Sequence, residues 1–148
     1  MTMIKNNLNN PAFDSMPQVT FALFAYNQEE FICGAISSAF SQDYQPLTII
    51  ISDDCSNDNT FELIKLMVAS YLGPHKIIIN RNVTNMGGHG VCAHVNKVFE
   101  LVEDDLIILA AGDDISLSKR TSVLVKAWLA AGKPSGSLHS AVQTISNT

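Results

Sequence analysis

Four short apolar runs alternate with stretches of helical period, and polar or acidic residues close each run; no other feature constrains the fold of this chain so tightly. Val19 to Phe24 is the first run, apolar and rich in strand-forming residues. Gln28 to Phe40 follows, with Phe31, Ile32, Ala35, Ile36, Ala39 and Phe40 at helical spacing. Gln42 to Pro46 breaks that helix, because proline and its predecessor resist helical geometry. Leu47 to Ser52 reads as a second strand, followed by the polar loop Asp53 to Asn59. Asp58 or Asn59 is placed to cap a second helix with Phe61, Ile64, Met67 and Val68 on its apolar face, ended by Gly73-Pro74. Lys76 to Asn80 is the third strand, and Arg81 to Gly90 is a loop rich in glycine and asparagine. Val91, Val95, Val98, Phe99 and Val102 mark a third helix. Leu106 to Ala111 is the fourth strand, closed by Gly112-Asp113-Asp114. Ser116 or Ser118 is expected to cap a fourth helix carrying Leu124, Val125, Trp128 and Leu129, which Gly132 and Pro134 end. Leu138 to Ile145 alternates weakly and is expected to form a fifth strand.

Strands that are apolar throughout suit a sheet covered on both faces. The expected class is therefore α/β: a doubly wound, mostly parallel sheet with helices on both faces. Residues 1–16, rich in asparagine and without hydrophobic period, read as a flexible leader, and 17–148 as the domain.

Composition narrows the function classes. Of the 148 residues 47% are hydrophobic and 16% charged, which is globular. The apolar run Leu106 to Ala111 is far short of the roughly 20 residues that span a bilayer, and no secretory signal is visible, so a cytoplasmic protein is expected. A net charge of -5 with scattered Lys and Arg excludes the basic stripe of a nucleic-acid binder. Cys33, Cys55 and Cys92 show neither zinc-ligand spacing nor an even count, and are expected to be buried free thiols.

In a doubly wound sheet ligands bind outside the carboxyl ends of the strands. Those ends carry Ala25-Tyr26-Asn27, Asp53-Asp54, Asn85-Met86-Gly87-Gly88 (after the third strand) and Asp113-Asp114. Paired carboxylates repel one another, and a hard divalent cation such as Mg²⁺ or Mn²⁺ relieves the repulsion. Substrate phosphates usually complete such a shell. Each pair also has a plainer reading, a solvated loop at a helix start. The glycine loop is neither a dinucleotide fingerprint nor a P-loop, and no Ser-His-Asp or HExxH arrangement is present. Of the histidines, His89 in the glycine loop is a phosphate-contact candidate, and His94 reads as a packing or surface residue.

These residues resemble a known family. Gln18 to Asn27 is similar to the opening strand of family 2 glycosyltransferases, which have the GT-A fold. Ala35 to Tyr44 resembles that family's first helix and its exit, and Ile49 to Thr60 its DDxSxDxT signature. Asn85-Met86-Gly87 resembles its NxG turn, and Ala110 to Asp114 stands where the family keeps its DXD-like metal motif. The likeness runs from about Pro17 to the end of the chain. It implies that Ala25, Tyr26 and Asn27 line a nucleotide pocket with Glu29 nearby. Asp54 would accept a hydrogen bond from the base, and Asp53 would support that loop. Asn85 and Gly87 would lie near the nucleotide, Asp113 would face the ribose or the metal, and Asp114 would reach a Mg²⁺ or Mn²⁺ ion bridging the diphosphate.

The chain departs from the family pattern at Phe24, where a small residue or proline is frequent, at Cys55 in place of a glycine, and at Ala111 in place of an aspartate. The implied activity is transfer of a sugar, with inversion, from a nucleoside diphosphate to a hydroxyl of a glycan or lipid-linked acceptor, with peripheral membrane association. The family's acceptor-binding half and its catalytic base are expected beyond Thr148. An unpaired strand edge is expected to favour a homodimer. Two alternatives stay open: a nucleotide-binding or assembly module without catalysis, and another doubly wound protein with an acidic site, such as a nucleotidyltransferase or a receiver domain.

Overall fold

The computed structural model of the chain describes residues 16–87, 91–104, 106–137 and 140–144. Its elements run β1 (Val19–Ala25), α1 (Ile32–Phe40), β2 (Leu47–Asp53), α2 (Thr60–Ala69), β3 (Lys76–Arg81), α3 (Val91–Phe99), β4 (Leu106–Ala111) and α4 (Arg120–Ala130). The expected leader, apart from Met16, lies outside the described residues, as do Gly88, His89, Gly90 and His139.

All four strands pair in parallel, in the order β3-β2-β1-β4. The chain steps outward from β1 to β2 to β3, then returns to the far side of β1. Right-handed crossovers therefore put α1 and α2 on one face and α3 on the other. Packing agrees. Ile32 and Ile36 of α1, Ile64 of α2 and Val125 of α4 share a core with Val19, Phe21, Leu23, Leu47, Ile49 and Ile51. Val98 of α3 packs against Ala22 and Ile50 on the opposite face. β1 and β2 thus bury both faces, which is why they are apolar throughout instead of alternating. Ile49, Ile50 and Ile51 are all at most 1% exposed, and each such side chain contributes about 1.5–3 kcal/mol. The point where the strand order reverses lies between β1 and β4, and it is there that such sheets open a crevice.

Several expected boundaries differ. α1 starts at Ile32, not Gln28. The carbonyl of Gln28 accepts from both Phe31 and Ile32, closing a turn, while Glu29 is held outward by residues 58–59. α4 is not capped by Ser116 or Ser118; its flanking residue is Lys119, which makes no side-chain cap. The amide and hydroxyl of Thr121 instead donate to Oε1 of Gln42, at 3.0 and 2.7 Å. Gln42 in turn donates to the carbonyls of Ser38 and Leu117. The cap comes from the α1–β2 connection, 79 residues away in sequence, where no local signal marks it. At the start of α2 the flanking Asn59 makes no side-chain cap, and Asp58, one residue before it, accepts the Thr60 amide on Oδ1 at 2.9 Å. The expected fifth strand is not formed at 140–144, and the rest of its span falls largely outside the described residues. The cysteines are not buried: Cys33 and Cys55 are half-buried and Cys92 is exposed.

Candidate functional site

The loops that leave β1 and β2 are fastened together. The Asn27 amide donates to Ser56 Oγ, the Gln28 amide to Thr60 Oγ1, and the Glu29 amide to Asp58 Oδ2. In return the Asn57 amide donates to Asn27 Oδ1, and the amide and side chain of Asn59 donate to Glu29 Oε2. Asn27 sits at φ +50°, the left-handed region that asparagine tolerates better than most residues. Burial raises the Asp58 carboxyl, but hydrogen bonds from Thr60 and Glu29 outweigh it and leave the group below its usual range. A shallow polar hollow lined by Asn27, Gln28, Glu29, Glu30, Phe31 and Asp58 opens beside this seam. Ala25 is buried, whereas Tyr26 is 43% exposed.

The first carboxylate pair is consumed by the protein itself. Asp53 is fully buried, accepts from the hydroxyl and amide of Ser56, and pairs with Arg81 Nε at 3.2 Å. Asp54 is 5% exposed. Its Oδ1 accepts from Asn82 Nδ2 at 2.6 Å and from the Met86 amide at 3.0 Å. Its Oδ2 accepts from Asn85 Nδ2 and shares the Met86 amide. Asn85 folds over its own loop, taking the Gly87 amide on Oδ1 at 2.8 Å. The expectation that a cation must relieve both pairs therefore does not hold for Asp53 and Asp54: an arginine and a ring of N–H donors already do so.

The second pair is different. The Gly112 amide donates to the Phe24 carbonyl at 2.8 Å, and the Asp54 amide donates to the Ala25 carbonyl at 2.9 Å, so the two acidic segments flank the end of β1. Two strand spacings separate their backbones, about 10 Å. Gly112 is required by closeness: a Cβ there would lie 2.3 Å from Gln28 Oε1 and 3.2 Å from the Ala25 Cβ. Asp113 and Asp114 then emerge exposed beside the β1 loop. Among the described residues neither carboxylate accepts a hydrogen bond, and Asp114 acts electrostatically on Arg120. Burial lowers the Arg120 guanidinium and Asp114 raises it. Two free oxygen-donor groups suit a hard divalent cation that takes the remainder of its shell from phosphate and water. No group of three or more potential ligands gathers among the described residues.

His94, expected to be a packing or surface residue, is buried and hydrogen-bonded. Its Nε2 lies 2.7 Å from Ser52 Oγ, and its ring meets Phe24 edge-on. Burial lowers its basicity, partly offset by Asp54 and Asp53. Nothing local in the sequence marks this contact, which joins residues 42 apart.

Comparison with known proteins agrees with this geometry. The family model described as Glycosyl transferase family 2 matches residues 20–141. The succinoglycan biosynthesis protein ExoO of Rhizobium meliloti is 42% identical over 57 residues, 38% of this chain and 16% of that protein. WfaP of Escherichia coli, a UDP-Glc:alpha-D-GlcNAc-diphosphoundecaprenol beta-1,3-glucosyltransferase, is 41% identical over 49 residues, 33% of this chain and 20% of WfaP. Among solved structures, the mannosyltransferase PcManGT from Pyrobaculum calidifontis in complex with GDP-Man and Mn²⁺ has the same fold. It superposes with a TM-score of 0.65 at 19% identity, over 79% of this chain and 33% of PcManGT. The chain thus spans well under half the length of the relatives it matches. With an acidic pair freed at the switch point of a β3-β2-β1-β4 sheet and a family match over most of its length, this chain belongs to glycosyl transferase family 2.

Proposed function

We propose that this chain binds a nucleoside-diphosphate sugar across the carboxyl edge of its sheet, as the donor half of an inverting, metal-dependent glycosyltransferase. The observation that carries this reading is the contrast between the two acidic pairs: Asp53 and Asp54 are already held by protein donors, while Asp113 and Asp114 are exposed and accept no hydrogen bond among the described residues. Asp114, with Asp113, would hold Mg²⁺ or Mn²⁺; when bound, the ion would neutralise charge on the leaving nucleoside diphosphate. Ala25, Tyr26 and Asn27 would line the nucleotide pocket, with the exposed Tyr26 ring available to a base and Glu29 stiffening the pocket wall. Asp53 would support the loop that holds Asp54 beside the base, with Asn85 and Gly87 near the nucleotide. Asp113 would meet ribose or metal. No described residue is assigned as the base that takes the acceptor proton.

The domain is read as 17–148. WfaP is named for a diphosphoundecaprenol acceptor, and ExoO for a polysaccharide pathway. A glycan or lipid-linked acceptor used in surface polysaccharide synthesis fits this chain too. No helix among the described residues is long and apolar enough to cross a membrane. By likeness to those relatives, the domain is proposed to be cytoplasmic and to meet a lipid-linked acceptor peripherally. β4 is a sheet edge among the described residues, with Leu109 43% exposed, which favours a homodimer that sedimentation would detect as a concentration-dependent mass.

Calorimetric titration with UDP, GDP and dTDP, with and without Mg²⁺ or Mn²⁺, tests the donor site. Metal-dependent binding of at least one, lost in Asp114→Ala, is expected. Absence of binding by all three in the presence of metal would sink the reading.

A further inference from the structure

We propose that His94 is a positioning residue: neutral, with its proton on Nδ1, it terminates one arm of a hydrogen-bond chain that runs outward from the Asn80 amide and fixes Asn82 and, through it, the Asp54 carboxylate. The directions follow from one fact, that an ionised carboxylate only accepts. Asp54 Oδ1 faces Asn82 Nδ2 at 2.6 Å, so Asn82 turns its Oδ1 away from Asp54. That oxygen lies 3.4 Å from Asn80 Nδ2, so Asn80 is the donor there. The same Asn80 nitrogen lies 2.9 Å from Ser52 Oγ and spends its second hydrogen on it. Ser52 now accepts from Asn80, and its own hydrogen needs an acceptor. Among the described residues the partner in reach is His94 Nε2, at 2.7 Å. His94 Nε2 must therefore be bare.

Protonation of Nε2 would reverse the last link. Ser52 would face two donors, and its hydroxyl hydrogen would lose its acceptor in a buried setting. The charged groups acting on His94 are Asp54 and Asp53 at the end of β2. From β1 it meets the uncharged Phe24 ring, and from β3 Asn80 through Ser52. On α3 itself Lys97 is paired with Glu100. Asp54 in turn anchors the Met86 amide and the Asn85 side chain, so the chain couples α3 to the loop that follows β3. This inference rests on the nucleotide-site reading only for its consequence in binding; the coupling itself stands apart.

The test compares wild type with His94→Gln, which offers an acceptor that does not titrate, and with His94→Leu, which offers none. Amide hydrogen exchange at Met86 is read first, without nucleotide. Exchange about tenfold faster in His94→Leu than in wild type is expected, with near wild-type protection in His94→Gln. Nucleoside-diphosphate affinity with Mn²⁺ is then followed from pH 7.5 to 5.5. Wild type should weaken more steeply on acidification than His94→Gln, whose remaining slope is that of the nucleotide's own phosphate. Equal Met86 protection in all three proteins would overturn the proposal. So would an acid dependence that persists unchanged in His94→Gln. Loss of nucleotide binding by every protein, with the exchange difference intact, would instead refute the donor-site reading and leave the coupling standing. Should His94→Leu not fold, Ser52→Ala removes the same link and is expected to raise Met86 exchange likewise.

Discussion

Cys55 occupies a backbone position with φ +63°, where the resembling family keeps glycine. The left-handed region costs an ordinary residue about 1–2 kcal/mol, and glycine gives back roughly half of that through its freer unfolded chain. Cys55→Gly is therefore expected to change unfolding free energy by less than about 1 kcal/mol, while the β-branched Cys55→Val loses about 1–2 kcal/mol. Denaturant titration checks both. Gly112 answers to space instead of torsion. In Gly112→Ala the Gln28 side chain must swing away from its 2.3 Å clash, and the new Cβ also lies 3.1 Å from Ile32 Cδ1. The fold should lose about 1 kcal/mol, and calorimetry should show a larger proportional fall in nucleotide affinity, because the displaced Gln28 borders Asn27 and Asp113. Asp113 and Asp114 were legible from sequence because adjacency and a preceding apolar run sufficed. The Ser52–His94 contact and the Arg81–Asp53 pair were not, since each joins residues brought close only by the sheet.

Among the elements, strands were easier to place than helix starts. The bounds of β1 to β3 fall within a residue of the apolar runs, and those of β4 coincide with its run; for β1 and β2 the reason is burial on both faces, which shows itself in every residue. Helix starts depend on which donors reach the first turn. α1 begins four residues late because the β2 loop claims Glu29, and α4 is capped by Gln42 from across the fold. The ends of β2 and β3 are joined through the fully buried Asp53 and the partly exposed Arg81, whose guanidinium also reaches the Ser56 carbonyl at 3.0 Å. Arg81→Met leaves Asp53 with its Ser56 donors but no countercharge. A loss of about 1–3 kcal/mol is expected, read as a lower denaturant midpoint at unchanged slope.

At the scale of the whole molecule, two buried histidines stand at opposite ends of the sheet. His75, before β3, turns Nε2 to the Gln42 carbonyl at 3.1 Å and leaves Nδ1 buried without a partner among the described residues. Burial lowers both His75 and His94; the Gln42 contact raises the first and the aspartates raise the second, but neither offset prevails. The unfolded chain therefore binds protons first. Stability is full above the unfolded value of 6.5 and is lost as pH falls through the lower folded values. Melting curves should show a falling transition temperature between pH 7 and 5, reduced in a His75→Phe variant. Strand order was beyond sequence reading, because alternation of elements says nothing about which edge β4 joins. The six hydrogen bonds that fasten residues 27–29 to residues 56–60 have a practical consequence for anyone exchanging segments between homologues. A graft of either stretch alone strands the hydrogen-bonding groups of the other, so an exchange of this seam travels as a two-piece cassette or fails.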